Sequence, residues 1–126
     1  MRVLGIDYGT KRVGLALSDE SATIAQPLTV IPNVEALAME VVRVCSEKEV
    51  EQIVIGESKR LDGTPNPLME DITNFIDALN EKTDIPIALE PEFWSSEEAE
   101  RFQGKDAMLD ARAAAIMLQR YLDKHK

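Results

Sequence analysis

The sequence predicts an α/β domain: a mixed five-stranded sheet, made of a three-stranded antiparallel meander and two parallel strands, with helices on both faces. Three observations predict it. The short apolar runs Val3–Ile6 and Ile53–Ile55 have the character of strands buried on both faces. Later stretches place apolar residues at i, i+3, i+4 and i+7, the spacing of a helix with one inner stripe. The elements follow one another as three strands, then helix, strand, helix, strand and two helices, an order that right-handed crossovers close into one sheet.

Each element has a local reason. Val3-Leu4-Gly5-Ile6 ends in the charge of Asp7, and Asp7-Tyr8-Gly9-Thr10-Lys11 reads as a turn. Val13, Leu15 and Leu17 alternate with small residues, which predicts a second strand paired as a hairpin. A third strand is expected from Leu28 to Ile31, with Pro27 at its start, where no ladder N–H is lost. Val34, Leu37, Ala38, Val41, Val42 and Cys45 form a helical stripe behind Asn33, a good N-cap. Gln52–Ile55 is the fourth strand, stopping at Gly56 before the polar loop Glu57–Thr64. Asn66 and Pro67 open the next helix, with Leu68, Ile72, Phe75, Ile76 and Leu79 inside. Ile85–Leu89 is the fifth strand, and Ser95-Ser96-Glu97-Glu98 is a capping box for a short helix. An alanine-rich helix from about Asp106 to Asp123 closes the chain.

Composition narrows the function. At 126 residues, 44% apolar and 29% charged, the chain fits a single globular domain spanning 1–126. The lone cysteine, Cys45, excludes an intrachain disulfide and a cysteine-based zinc site. Neither a membrane span nor a signal peptide fits, so a soluble cytoplasmic protein without a membrane partner is expected. The net charge of −9 argues against non-specific binding of nucleic acid by the whole surface. Yet Pro67–Glu100 holds ten acids against Lys82 alone, and the remaining residues are balanced at thirteen and thirteen. A polyanion would therefore approach the neutral remainder, where Lys11, Arg12, Lys59, Arg60, Lys105 and Arg112 lie.

The sharpest local signal is Gly5-Ile6-Asp7-Tyr8-Gly9-Thr10-Lys11-Arg12-Val13-Gly14. It sets a carboxylate at the carboxyl end of a buried strand, where open α/β sheets bind ligands. A buried carboxylate there needs a cation or several donors to stay charged.

From Asp7 to Gly14 the chain resembles the opening motif of the YqgF/RuvX family, small bacterial proteins of the RNase H-like fold. Ala25-Gln26-Pro27-Leu28, Ile55-Gly56 with Lys59-Arg60-Leu61-Asp62-Gly63, Asp110-Ala111-Arg112-Ala113-Ala114 and Leu118–Leu122 resemble further family segments in order. The resemblance implies a metal-dependent nuclease acting on structured nucleic acid. In the family this activity is assigned to 5′-end processing of the small-subunit (16S) ribosomal RNA precursor and, earlier, to resolution of Holliday junctions. It implies Mg²⁺ or Mn²⁺, two ions, held by the acids Asp7, Glu92 and Asp110. Precursor rRNA or branched DNA would be the partner, in association with ribosomal particles. Two divalent ions about 4 Å apart activate water and stabilise a leaving oxygen when carboxylates from different elements converge on them.

Glu57 is an alternative or additional acid, because a fourth strand beside the first puts their ends only about 4.8 Å apart. Asp106 and Asp110, four apart, share a helix face; Asp106 is assigned as the N-cap and Asp110 as the ligand. Lys11, Arg12, Lys59 and Arg60 are the expected phosphate contacts. The family motif around Glu92 reads Pro91-Glu92-Phe93-Trp94-Ser95-Ser96 here, with Pro91 and Phe93 in place of a family Asp and Arg. Two other readings remain: a phosphate loop of an actin-like ATPase, which needs a second such domain, and a non-catalytic RNase H-like scaffold. Binding of paired divalent ions separates the nuclease from the scaffold.

Overall fold

The computed structural model describes residues 1–60, 68–94 and 108–125, with side chains at 58–60, 92–94 and 108–109 outside that description. The elements are β1 (Arg2–Tyr8), β2 (Arg12–Ser18), β3 (Ala25–Pro32), α1 (Leu37–Glu47), β4 (Val50–Arg60), α2 (Leu68–Lys82), β5 (Ile87–Trp94) and α3 (Met108–Lys124). The described residues form a five-stranded sheet in the order β3-β2-β1-β4-β5. β1 is antiparallel to β2 and β2 to β3, whereas β1–β4 and β4–β5 are parallel. With helices on both faces, this is the RNase H-like α/β fold.

Strand alternation sorts the core into two layers. Leu4, Ile6, Val13, Leu15, Ile53 and Ile55 face α1 and α2, meeting Leu37, Val41, Cys45, Ile72, Phe75 and Leu79. Val3, Ala16 and Val54 face α3, against Ala114, Met117, Leu118 and Leu122. The continuous apolar runs are thus explained, since every side chain of the run has a covered face. The α3 layer is thin. A Cβ on Gly5 would stand 2.8 Å from the Leu118 Cβ, so the alanine-rich helix lies close on a sheet face floored by small residues.

Several sequence expectations shift. Asn33 does not cap α1: Ala36 holds the cap position with no side-chain cap bond, and Val34 is exposed rather than part of the stripe. The Asn33 side-chain amide instead donates to the Gly9 carbonyl at 2.7 Å, and its backbone N–H to the Lys11 carbonyl at 3.0 Å. Asn33 therefore ties the β1–β2 turn, whose carbonyls would otherwise depend on solvent. β3 is longer than expected, and β5 begins two residues later, at Ile87. β4 does not stop at Gly56 but runs to Arg60, and β5 runs to Trp94. Beyond the end of β1 these two strands pair with each other, from Gly56 opposite Glu90 to Arg60 opposite Trp94. Their mutual backbone hydrogen bonds sustain a polar extension that hydrophobic periodicity does not mark. The expected caps Asn66, Ser95 and Asp106, and the loop Leu61–Thr64, lie outside the described residues.

Candidate metal and nucleic-acid site

Asp7 is the next-to-last residue of β1 and pairs with Gly14 of β2. Alternation with Val3 and Gly5 sets it on the α3 face, while Tyr8 turns to the other face, its ring centroid 5.3 Å from that of Phe75. The turn that follows is tight, because a Cβ on Gly9 would stand 2.4 Å from the Arg12 carbonyl oxygen. With Asn33 clamped to both sides of this turn, the entry to β2 is held in place.

Asp110 lies in the first turn of α3, where a carboxylate is favoured by the free N–H groups and the helix dipole. Its backbone rests on Gly14: a Cβ there would be 2.0 Å from the Asp110 carbonyl oxygen. Since Gly14 is the register partner of Asp7, the close approach brings the helix carboxylate to the strand carboxylate. Burial, and then the negative charge of Asp110, push the Asp7 carboxyl up to about 7. Arg12, the first residue of β2, brings its Nε to 3.0 Å from Asp110 Oδ2. That oxygen is buried, yet among the described residues it accepts no hydrogen bond. Arg12 thus offsets the charge of Asp110, whose buried Oδ2 is ion-paired without a directed hydrogen bond.

The other expected residues are placed as follows. Lys11 is exposed in the turn. Glu57 is half-buried and alternates with Ile53 and Ile55, on the sheet face of α1 and α2. Glu92 is opposite Ser58 in the β4–β5 ladder, and Lys59 and Arg60 are opposite Phe93 and Trp94; the side chains of Glu92, Lys59 and Arg60 are not described. Among the described residues no three of His, Cys, Asp and Glu converge as a metal-binding group. Asp7 and Asp110 form a pair.

One acid escaped the sequence reading as an individual. Glu90, counted there in the acidic surface run, is 3% exposed and accepts a hydrogen bond from Lys124 Nζ at 2.7 Å. It secures the end of α3 to β5. Its place at the end of an apolar strand, two residues before Glu92, was the available signal. Cys45 is buried and its thiol is pushed up to about 11 by desolvation, in keeping with a core role.

Residues 1–124 match the family described as "RuvX: Holliday junction resolvase". Curated relatives include proteins named "Putative pre-16S rRNA nuclease". That of Halothermothrix orenii is 36% identical over 133 residues, covering 98% of this chain and 95% of its own. That of Desulforamulus reducens is 37% identical over 133 residues, covering 98% and 97%. Among solved structures, Thermus thermophilus RuvC superposes with a TM-score of 0.60 at 19% identity, covering 99% of this chain and 96% of its own. The fowlpox virus Holliday junction resolvase gives 0.59 at 13% identity, covering 98% and 99%. At those identities the structural likeness speaks for the fold alone. The sequence match over nearly the full length speaks for more: the chain belongs to the RuvX family, whose relationships are those of nucleases for structured nucleic acid.

Proposed function

We propose that the chain hydrolyses phosphodiester bonds at the 5′ end of the small-subunit (16S) rRNA precursor, through a divalent-cation site made by Asp7, Asp110 and Glu92. The observation that carries this reading is the meeting of Asp7 and Asp110, together with an Asp110 oxygen, Oδ2, that is buried and accepts no hydrogen bond among the described residues. A buried carboxylate oxygen that meets a guanidinium charge but accepts no hydrogen bond suits a cation. A neighbouring carboxyl whose ionisation is resisted suits one equally, because a cation would relieve that resistance.

The third ligand is Glu92. β5 carries Glu90 on the sheet face that α3 covers, and position 92 repeats that face two residues on. Glu57 falls on the opposite face with Ile55, away from Asp7. Mg²⁺ or Mn²⁺ fits the all-oxygen donor set, and two such ions would supply an activated water and stabilise the leaving oxygen. The chain's own residues do the rest. Asp7 and Asp110, held by a strand end and a helix start, keep their carboxylates in one place. Lys11 and Arg12 border them, and β4 includes positions 59 and 60, a lysine and an arginine, so a phosphate chain would cross the strand ends there.

Among the described residues no helix is long and apolar enough to cross a membrane. The reading sets the protein at work in the cytoplasm, on ribosomal precursor particles. The test is Mn²⁺-dependent cleavage of end-labelled precursor RNA beside a four-way DNA junction, with Asp7→Asn as control. Cleavage of the RNA alone supports the proposal, and preference for the junction replaces its substrate. If neither is cut and wild type and Asp7→Asn gain equal thermal stability from Mn²⁺, the chain is a scaffold and the nuclease reading is lost.

A further inference from the structure

Among the described residues two ion pairs between α3 and the sheet, Lys124–Glu90 and Arg12–Asp110, differ in kind. Lys124 Nζ donates a 2.7 Å hydrogen bond to Glu90 Oε2, an ordinary saturated contact. Arg12 Nε stands 3.0 Å from Asp110 Oδ2, but the oxygen accepts no hydrogen bond from it. The guanidinium is therefore present as a charge and not as a directed donor, although arginine usually meets carboxylates through parallel, well-aligned N–H groups. Exposure is also unequal: the Arg12 side chain is 43% exposed and that of Asp110 is 20% exposed. Arg12 has solvent to move into, whereas Asp110 is held by the close contact of its backbone with Gly14.

We propose that Arg12 is a placeholder cation: it neutralises Asp110 in the metal-free protein, yields that position when a divalent ion loads, and turns its guanidinium to the solvent. The proposal rests on the cation site described above. A dication on Asp110 Oδ2 would stand within a few ångströms of the guanidinium, and like charges that close in a partly desolvated site repel strongly. One of them must leave, and only Arg12 is free to. In solvent its planar fork meets what it is best suited to bind, a phosphate oxygen pair. Cation loading would then precede and favour capture of the nucleic acid, because the phosphate contact becomes available only once the ion has taken Asp110. Without the ion, Arg12 prevents two carboxylates from facing each other unneutralised.

The experiment combines two readings on the intact chain. The Arg12 Nε–Hε resonance of ¹³C,¹⁵N-labelled wild type, assigned through bonds to the Arg12 backbone amide, is followed through a Mg²⁺ titration. Calorimetry gives the Mn²⁺ affinity of wild type, Arg12→Gln and Asp7→Asn, each checked for folding by circular dichroism. The expected result is an Arg12 resonance that shifts and saturates with the ion, and Mn²⁺ binding about fivefold tighter in Arg12→Gln, equivalent to ~1 kcal/mol. An Arg12 resonance that stays in place while the site saturates overturns the proposal, even if Arg12→Gln does not fold. So does a folded Arg12→Gln that binds Mn²⁺ equally or more weakly. In both cases the cation site itself stands. Absence of Mn²⁺ binding in wild type and Arg12→Gln alike removes the cation site and the placeholder together.

Discussion

Gly14 is the seat of Asp110: the space a Cβ would need is filled by the Asp110 carbonyl oxygen at 2.0 Å and the Ala111 nitrogen at 2.8 Å. Both obstructing atoms are backbone, so no rotamer change relieves the clash. Through this contact the start of α3 reaches the carboxyl end of β1, because Gly14 is paired with Asp7.

Gly14→Ala should accordingly displace the first turn of α3. Overpacking of this kind costs about 1–3 kcal/mol, and a backbone obstacle puts the expected loss toward the upper figure. Urea unfolding measures it. Mn²⁺ binding should weaken together with stability, since the carboxylates separate; a variant as stable as wild type with unchanged Mn²⁺ affinity would show that the contact positions nothing.

Asp7 gives a pH dependence of definite sign. Its carboxyl, raised from 3.8 to about 7 by burial and by Asp110, holds its proton more tightly in the folded chain than in the unfolded one. In metal-free buffer stability should therefore fall as pH rises from about 4 to about 7, then level off. Asp7→Asn should lack that decline and exceed wild type above pH 7 by ~1 kcal/mol or more. Urea midpoints in EDTA at pH 5 and pH 8 decide it: wild type losing no more stability than the variant between them would contradict the expectation.

Glu92→Gln and Glu57→Gln should part company. Outer-shell partners of a metal site already cost about 10–100-fold when lost, so a ligand should cost about 100-fold or more. That loss of cleavage is expected for Glu92→Gln, and a change within about threefold for Glu57→Gln, whose position lies on the α1/α2 face. The reverse ranking would assign the third ligand to β4.

The Lys124–Glu90 pair should behave as a buried ion pair with one exposed end. Lys124→Ala strands a carboxylate that is 3% exposed, at a cost of about 2 kcal/mol, below the figure for a fully buried pair because Lys124 is itself half in solvent. Replacing both residues by Met should recover most of the loss. A double variant no more stable than Lys124→Ala would mean that packing, not charge, is at stake.

The family motif and the chemistry it implies were legible before the structure. Asp7 reads as a strand-end carboxylate because an apolar run, a charge and a glycine turn are neighbours in the chain. The β-β-β-α-β-α-β order reads out for the same reason, and right-handed crossovers then leave few sheets to choose from. Asp110 is legible as a residue of an alanine-rich helix with a family motif.

The sequence by itself determined what neighbours along the chain determine: the order of strands and helices, most of the residues that line their apolar faces, and the place of Asp7 near the end of β1. Only the tertiary structure decided the pairings between distant residues. It set Arg12 against Asp110, tied Asn33 to Gly9 instead of to a helix start, buried Glu90 with Lys124, and carried β4 and β5 past β1 as a polar ladder. The physical reason is common to all four. Backbone and side-chain polar groups take whichever partner the packed layers bring within about 3 Å, and periodicity records which face is buried but not which distant atom waits there.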